Sequence, residues 1–460
     1  RYKMLCVPMA VLCLATLGCR PKQKVTVPDL SNMTEIVAGV TLVGVGLVKG
    51  DVTEEYSDEV AVGRVITQDP LPGTSVSRNT AVDLVISLGP EPLVPSVAWS
   101  YYPSVNTVWA LNVAETSDHG AVMGGAYSGD DNMYGLKISP TGTFVRDVTF
   151  SASSPDASTR WGSEARGIRP TGDGGYIMTS HWGFSLIKLD STFNKVWAYD
   201  YTPPDPYHGM RDVFATNTGS VSVCSDGGFF AVGSSYIGPY IASVLKTDSD
   251  GTMEFCKVVN DNAAAYEELM EDGFQTSDGG YILTGHASNG TDRGYIAILI
   301  KLDENGDLEW SSTFQDVVNN HGCESYAVGE TSDHGFIIGG GEVNDITPKA
   351  LGHGAWLAKV NSAGNQVWLK SYEDLADVVV QVNDLGVTPD DEIVTVGQDK
   401  GYMYMSKFDA DGDLIWNYDF GQITNCAANG VALTQDGGCL VVGDGTNGGI
   451  VVKVNNVYVP

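Results

Sequence analysis

The chain has 460 residues, of which 57 are acidic and 26 basic, so its formal net charge is −31. This charge argues against nucleic acid or an anionic membrane surface as a partner, and it is compatible with divalent cations or basic partners. The high glycine content, with 9% aromatic and only 18% charged residues, favours many short strands joined by tight turns and predicts an all-β protein.

The first eighteen residues have the pattern of a secretory signal. Arg1 and Lys3 precede an apolar run, Met4 to Gly18, that is too short to span a bilayer and is followed at once by polar residues. We therefore predict a signal peptide at residues 1–18 and export of the protein.

The end of this run resembles the lipobox of bacterial lipoproteins. It reads Thr16-Leu17-Gly18-Cys19, and it departs from the pattern at Thr16, where leucine is usual. The resemblance implies a lipid on Cys19 with residues 19–24 as a tether; an ordinary cleaved signal is the alternative. Because Arg20 and not aspartate follows the cysteine, resemblance to enteric lipoproteins implies the outer membrane or cell surface as the destination. Without the lipid the protein would be secreted.

Residues 25–90 contain the first predicted folded unit. Met33-Thr34-Glu35 can cap and start a short helix, and Val65-Ile66 and Val82 to Ile86 have apolar strand patterns. These residues predict one helix followed by three strands.

This unit resembles a PASTA domain over its full length. The landmarks are Val27-Pro28-Asp29-Leu30, the stretch Gly63 to Pro70, and Pro72-Gly73-Thr74, while the helix departs from the family because Val40 to Gly46 is rich in valine and glycine. The resemblance implies a small extracellular α+β domain that binds peptidoglycan fragments or serves as a spacer. A single copy favours a spacer or a weak wall contact. Residues 91–95 follow as a stiff, proline-rich linker.

From residue 96 onward one unit of about fifty residues is repeated. Its marker is an acidic turn that opens the second strand of each copy, at Asp118, Asp173, Asp226, Asp278, Asp333, Asp390 and Asp436. Seven copies with four short strands each predict a seven-bladed β-propeller at residues 96–460.

A second marker supports the same count. Five copies place a large aromatic residue seven positions after the turn that ends the third strand, namely Trp197, Phe255, Trp310, Trp368 and Trp416, while Arg146 replaces it in the first copy. The last copy has no fourth strand, but Ser96 to Tyr102 resembles Lys195 to Tyr201. We predict that this N-terminal strand closes the ring, and that the tryptophans pack between blades.

The repeats resemble DGGYI-type repeats of bacterial and archaeal surface proteins and, more distantly, quinoprotein-type propeller repeats. The resemblance covers residues 96–460 and implies a fold, not a function.

Candidate ligand-binding residues come from the predicted entry to each innermost strand, nine to twelve positions before the turn aspartate. This window gives Trp109, Trp161, Glu164, Tyr266, Glu267, Glu268, His321, Glu324 and Gln381. They predict an acidic and aromatic funnel for a cation, a sugar or a basic peptide; the alternative is a solvated rim with structural aromatics. Glu164 and Glu324 occupy equivalent positions.

Other residue patterns favour structural roles. The turns that begin at Asp248, Asp303 and Asp409 resemble the start of calcium loops but lack the glutamate at position twelve, so we predict hairpin turns and no metal site, with Ca²⁺ as the weaker alternative. Five cysteines after Cys19 are an odd number without regular spacing, which predicts buried thiols and not a disulfide framework. We identified no catalytic motif in a plausible context and predict no cofactor.

The leading hypothesis is a non-enzymatic lipoprotein of the cell envelope, with the propeller as a binding or assembly platform and the PASTA unit as spacer or peptidoglycan contact. Its expected partners are proteins or further copies of itself, and the membrane only through the lipid. The alternatives are a subunit of an extracellular filament or surface layer, and a secreted glycosidase or quinoprotein-like enzyme with its site in the funnel.

Overall fold

The structure is a computed structural model that describes residues 23–460 except 92, 104–107, 128–131, 151–163, 182–183, 202–215, 237–239, 260–266, 289–294, 315–321, 344–353, 373–380, 400–401, 425 and 446–447. The predicted signal and Cys19 lie outside the described residues. The chain divides into two compact units between Leu93 and Val94. No helix in the described part of the chain is long and apolar enough to cross a membrane.

The first unit is a small α+β domain. Its elements are β1 (Lys24–Thr26), α1 (Glu35–Val45), β2 (Val48–Glu55), β3 (Val65–Asp69), β4 (Ser75–Ser77) and β5 (Ala81–Ser87). β5 lies between β2 and β3, parallel to β2 and antiparallel to β3, and β1 pairs with β4. Leu30, Leu42 and Leu84 are among the buried residues of its core.

The predicted cap of the helix is confirmed, and the predicted strand count is wrong. Thr34 is the N-cap, and its side chain accepts a hydrogen bond from the Val37 amide at 3.4 Å. Gly46 ends the helix in the left-handed conformation, with φ of 84°. One strand precedes the helix and four follow it; β1 and β4 have only three residues each, too few to produce an alternating pattern.

The second unit contains seven four-stranded antiparallel sheets in its described residues. Strand β6 (Ser96–Tyr101) comes first in the chain and belongs to the last sheet. Sheets 1 to 3 are β7 (Val108–Glu115), β8 (Ala121–Tyr127), β9 (Asn132–Ile138) and β10 (Phe144–Phe150); β11 (Ala165–Pro170), β12 (Tyr176–Ser180), β13 (Phe184–Leu189) and β14 (Lys195–Tyr201); β15 (Thr216–Val223), β16 (Phe229–Tyr236), β17 (Tyr240–Thr247) and β18 (Met253–Val258).

Sheets 4 to 6 continue the same order: β19 (Glu267–Gln275), β20 (Tyr281–Ser288), β21 (Tyr295–Leu302) and β22 (Leu308–Phe314); β23 (Gly322–Glu330), β24 (Phe336–Val343), β25 (Ala355–Val360) and β26 (Gln366–Ser371); β27 (Gln381–Val387), β28 (Ile393–Asp399), β29 (Tyr402–Phe408) and β30 (Leu414–Thr424). Sheet 7 has β31 (Cys426–Leu433), β32 (Cys439–Gly445), β33 (Gly448–Asn455) and β6. β6 pairs antiparallel with β33, with Trp99 opposite Lys453.

The core lies between neighbouring sheets. The second and third strands are buried almost throughout, as in β13, because both of their faces pack against an adjacent sheet, and their sequences are nearly continuous apolar runs. The outer strands alternate between exposed and partly buried residues, as in β22. One cluster joins Phe230 of sheet 3 to Tyr281 and Leu283 of sheet 4.

Each sheet has a lysine on its third strand that pairs with an acidic residue at the turn before the second strand. The nitrogen–oxygen distances are Lys137–Asp118 3.4 Å, Lys188–Asp173 2.9 Å, Lys246–Asp226 2.7 Å, Lys301–Asp278 3.0 Å, Lys359–Asp333 3.0 Å, Lys407–Glu392 2.5 Å and Lys453–Asp436 2.7 Å. The turn carboxylates also cap the turn: Asp278 accepts the Gly280 amide at 3.0 Å. These contacts give the turn carboxylates a structural role.

The packing of the recurrent tryptophans is also confirmed. Trp197, Trp310 and Trp368 each contact a turn glycine of the next sheet so closely that a Cβ on Gly251, Gly364 or Gly412 would stand 3.0, 2.7 or 2.9 Å from the indole. Trp416 packs against the core shared by sheets 6 and 7. At the exceptional position Arg146 donates to Asn194 Oδ1 of sheet 2 at 3.2 Å.

Candidate functional site

The first strands of the seven sheets surround a cavity of about 570 Å³. Each first strand contacts the first strand of the next sheet, and β31 of sheet 7 contacts β7 of sheet 1. Every described residue that lines the cavity lies on one of these seven strands. The cavity is therefore the place where all seven copies of the repeat meet.

A β-bulge recurs in all seven first strands, seven positions before the residue at the turn-aspartate position. The residues at the bulge, which we call the bulge tier, are Leu111, Arg166, Gly219, Glu271, Tyr326, Asn383 and Asn429. All seven line the cavity. A bulge re-aims a side chain out of the regular alternation, which explains why one register position supplies lining residues from every sheet.

The next residue along each strand, the clasp position, holds neighbouring sheets together where it has a polar side chain. Its occupants are Asn112, Gly167, Ser220, Asp272, Ala327, Asp384 and Gly430. Four of these accept a backbone N–H from the first strand of the next sheet: Asn112 from Ile168 at 3.4 Å, Ser220 from Gly273 at 3.0 Å, Asp272 from Val328 at 3.2 Å and Asp384 from Val431 at 2.8 Å. Asp272 and Asp384 thus have a structural role.

Four of the predicted funnel residues share one register position, two residues before the bulge. They are Trp109, Glu164, Glu324 and Gln381. Gln381 lines the cavity, Glu164 Oε2 lies 3.1 Å from Arg166 Nε, and Glu324 accepts a hydrogen bond from the Tyr326 hydroxyl. Trp109 is 47% exposed and is not among the described lining residues.

Glu268 does not belong to this group. It is 2% exposed, and its Oε2 accepts the Ala242 amide of β17 at 3.1 Å, so it joins sheets 3 and 4 away from the cavity. Leu269 occupies the equivalent funnel position in sheet 4. The prediction for Glu268 is wrong because a window of several residues includes strand positions that alternate between the cavity and the sheet core. The predicted residues Trp161, Tyr266 and His321, and the side chain of Glu267, lie outside the described part of the chain.

The cavity contains charged groups of both signs. Arg166 and Arg169 lie on β11, Glu271 and Asp272 on β19, and Asp384 on β27. Sequence reasoning missed all five, although the constant distance from the turn aspartate would have found the bulge residues.

Burial dominates the protonation of these carboxyls. Burial raises the pKa of Glu271, with Glu324 and Asp272 adding to the effect and Arg166 opposing it. Burial, together with repulsion from Asp272, raises the pKa of Asp384 to about 7, although the Val431 amide and Arg169 favour its charged form. The cavity therefore contains carboxyls with raised pKa values, and the pKa of one of them, Asp384, lies near neutral pH.

Ser277, Glu330 and His334 form a second polar cluster, at the turns between sheets 4 and 5. Ser277 Oγ lies 2.9 Å from His334 Nδ1 and also donates to Glu330, whose Oε1 is 3.5 Å from the same nitrogen. A catalytic histidine would use one ring nitrogen for the nucleophile and the other for the carboxylate. Gln435 N and Glu115 Oε2 make a related contact at 2.9 Å between sheets 7 and 1, so we assign these clusters to sheet packing.

The turns that resemble calcium loops are closed by their own backbone. In each, the carboxylate at Asp248, Asp303 or Asp409 accepts amides two and four residues later, at 2.8 to 3.0 Å. Among the described residues, no group of three or more His, Cys, Asp or Glu side chains is placed to hold a metal ion. The five cysteines from Cys224 onward are buried, and none of them forms a disulfide among the described residues, as predicted.

Comparison with known proteins identifies the first unit. Residues 25–88 match the sequence model of the PASTA domain, which confirms the predicted domain. The chain is 44% identical over 75 residues to a probable serine/threonine-protein kinase of Clostridium acetobutylicum, and 33% identical over 84 residues to one of Corynebacterium efficiens. These matches cover 16% and 17% of this chain and only 11% and 13% of the kinases.

The second unit is similar to a solved structure in fold. A catalytically inactive virginiamycin B lyase from Staphylococcus aureus, solved with quinupristin, superposes with a TM-score of 0.50 and 8% identity, covering 78% of this chain and 99% of that one. At this identity the likeness concerns the fold alone, which is all-β and propeller-like.

Proposed function

We propose that this protein is a non-enzymatic component of the bacterial cell envelope that binds a ligand in the central cavity of its repeat unit. The observation that carries the proposal is the bulge tier: one register position of all seven sheets points into one cavity, and its occupants differ in size and charge from sheet to sheet. A concave polar site with convergent side chains is the usual form of a small-ligand site.

The proposal takes the seven sheets as the blades of a closed propeller, with β6 completing the last blade. Support comes from the β6–β33 pairing and from Trp99, whose Nε1 donates to the Pro140 carbonyl at 3.0 Å and whose ring lies against Gly142, as Trp310 lies against Gly364. Trp99→Ala should therefore destabilise the protein about as much as Trp310→Ala, by about 2 kcal/mol for a half-buried indole. If Trp99→Ala and the wild type unfold at the same urea concentration, the proposed closure of the ring by β6 is contradicted. Trp109→Ala, which removes an exposed tryptophan, is the control.

The PASTA domain supplies the link to the envelope. Its match to wall-associated domains supports contact with peptidoglycan or a spacer role, and the signal pattern before it supports export, with Cys19 as the proposed lipid anchor. The domain has its own core, so its deletion leaves the core residues of the sheets intact. We expect the purified protein to sediment with insoluble peptidoglycan and a variant lacking residues 25–90 to remain in solution. Equal sedimentation would show that the domain is not the wall contact.

Whether the cavity binds a ligand is tested by looking for a small molecule that stays bound when the protein is purified from its native envelope. Native mass spectrometry should detect a small molecule bound to the full chain and absent from Asn383→Trp, in which an indole occupies the bulge tier. Glu304→Trp, at an exposed turn, is the matched control and should retain the molecule. Loss in both variants, or retention in both, would contradict a cavity ligand.

A second candidate function is hydrolysis. It is favoured by one observation, that the carboxyl of Asp384 lines the cavity together with Asp272 and Arg169. Burial raises the pKa of Asp384 to about 7, and general acid–base chemistry uses a group with a pKa near the working pH. Turnover of a glycan that is abolished by Asp384→Asn or Glu324→Gln would support an enzyme and overturn the non-enzymatic proposal.

A further inference from the structure

The charges of the cavity are separated across it. Both arginines lie on β11 of sheet 2, whereas Glu271 and Asp272 lie on sheet 4 and Asp384 on sheet 6. Since successive first strands are in contact around the cavity, sheets 4 and 6 are not neighbours of sheet 2. One wall is therefore basic and the opposite walls are acidic.

The acidic wall has an unused acceptor. Asp272 and Asp384 each accept an amide of the next sheet with one oxygen and the amide of the following residue with the other. Glu324 accepts from the Tyr326 hydroxyl. Glu271, by contrast, has no hydrogen-bond partner among the described residues, although it lines the cavity. A partly buried carboxylate without a hydrogen-bond partner is less stable than one in open water, and an ammonium group would supply both a donor and a counter-charge.

The two arginines of the basic wall have more N–H donors than their contacts within the protein use. Among the described residues, Arg169 uses Nη1 for the Ile168 carbonyl at 2.9 Å and for Asn112, and Arg166 has Glu164 beside its Nε. A guanidinium has five N–H donors in a planar fork, so the contacts named leave donors on both side chains for a carboxylate.

The remaining lining residues suit the uncharged part of a ligand that carries an ammonium group at one end and a carboxylate at the other. Gln381, Asn383 and Asn429 present amides, and Tyr326 and Phe274 present rings. The side-chain nitrogens of Asn383 and Asn429 donate to the carbonyls of Ala428 and Ala110, so their oxygens are the atoms that can accept from peptide N–H groups. A cavity of about 570 Å³ is within the range of small-ligand sites and has room for more than a single amino acid.

We propose that the cavity binds a dipolar ligand, an amino acid or short peptide with a free ammonium and a free carboxylate, with Glu271 taking the ammonium and Arg166 and Arg169 the carboxylate. This inference rests on the proposed function and names the class of its ligand. The charge separation sets the orientation of the ligand, and the net charge of −31 favours approach of its ammonium end.

The test is calorimetric titration of the full chain with a panel of probes: the twenty common amino acids, dialanine, and the N-acetylated and C-amidated forms of each. We expect at least one unblocked probe to bind and both blocked forms of that probe to bind at least tenfold more weakly. Glu271→Gln and Arg166→Gln should each weaken the unblocked probe at least tenfold, because each leaves a charge of the ligand unpaired. Glu304→Gln, at an exposed turn, should not change binding.

The variants must be folded for this comparison, which an unchanged thermal midpoint without ligand establishes. If Glu271→Gln does not fold, the blocked probes on the wild-type chain still decide the case. Equal binding of a blocked and an unblocked probe, or no binding by any probe, overturns the dipolar ligand. The cavity itself is judged separately: a bound molecule of another class, lost in Asn383→Trp, would keep the proposed function and reject this inference.

Discussion

The lysine–acid pairs at the turns allow a prediction about which half of a buried ion pair the fold can lose. Lys246 is 1% exposed, and its Nζ lies 2.7 Å from Asp226, 3.0 Å from Glu254 and 3.0 Å from the Thr247 carbonyl. The carboxylate side chains are 50% and 46% exposed. The cation is thus enclosed, while water reaches both anions.

Two variants separate the contribution of the buried cation from that of the exposed anions. Asp226→Asn combined with Glu254→Gln leaves a buried ammonium with no counter-charge, which should cost about 3–5 kcal/mol. Lys246→Met keeps the aliphatic stem and leaves two carboxylates that water can solvate, so the loss is limited to hydrogen bonds and should be about 1–2 kcal/mol.

Urea unfolding at pH 7, with the m-value monitored, measures both free energies. The same order is expected in sheet 4, where Lys301 is 3% exposed and pairs with Asp278 and Glu309. A Lys246→Met variant that loses as much stability as the double acid variant, or more, would refute the reasoning, because the penalty would then not come from the buried charge.

Three further predictions follow from other parts of the second unit. Because burial raises the pKa of Asp384 to about 7 from 3.8, the folded protein holds this proton more tightly than the unfolded chain. Its contribution to stability is therefore greatest below about pH 4 and falls by up to roughly 4 kcal/mol as the pH rises to about 7. The free energy of unfolding in urea, measured from pH 4 to 8, should fall in this way for the wild type and not for Asp384→Asn. The same pH dependence in both proteins would contradict the prediction. Gly364→Ala should lower the free energy of unfolding by about 2–3 kcal/mol, because φ is +80° and the new Cβ would stand 2.7 Å from Trp310. Gly174→Ala has the same φ and no atom within 4 Å of the new Cβ, so it should lose only about 1 kcal/mol through backbone strain. Equal thermal midpoints for the two variants would rule out the indole contact. Burial raises the pKa of Cys224, Cys256, Cys426 and Cys439 to about 12, so a disulfide reagent at pH 8 should label none of the five cysteines from Cys224 onward until urea is added, and rapid labelling of the native protein would contradict their burial.

The repeated scaffold could be predicted because its residues are set by backbone geometry. Turns need aspartate and glycine at fixed places, and the tryptophans need a glycine opposite them, so these positions recur in the sequence. The buried lysines recur as well, at the next-to-last residue of the third strand, as in Lys188 and Lys301, and could have been predicted from that regularity. The short strands β1 and β4 could not, since three residues contain no pattern.

The site was harder to predict because its defining feature is a backbone irregularity. A bulge re-aims whatever residue occupies it, and its seven occupants run from Gly219 to Arg166 and Tyr326, so residue type does not mark the position. Glu164 and Glu324 lie two residues before the bulge and contact the bulge residues Arg166 and Tyr326, while Glu268 was included although it faces the sheet core. The spacing to the turn aspartate carries the missing information.

The clasp position indicates what the acidic wall of the cavity is for. In sheets 1 and 3, Asn112 and Ser220 accept the neighbouring amide as neutral side chains, and in sheets 2, 5 and 7 the position has no polar side chain. The fold therefore does not need a charge there. Asp272 and Asp384 make the same bond as carboxyls whose pKa is raised by burial, which is the less stable way to make it at neutral pH. We infer that their charge serves the electrostatic potential inside the cavity, where an ammonium group of a ligand would offset the cost of ionising them.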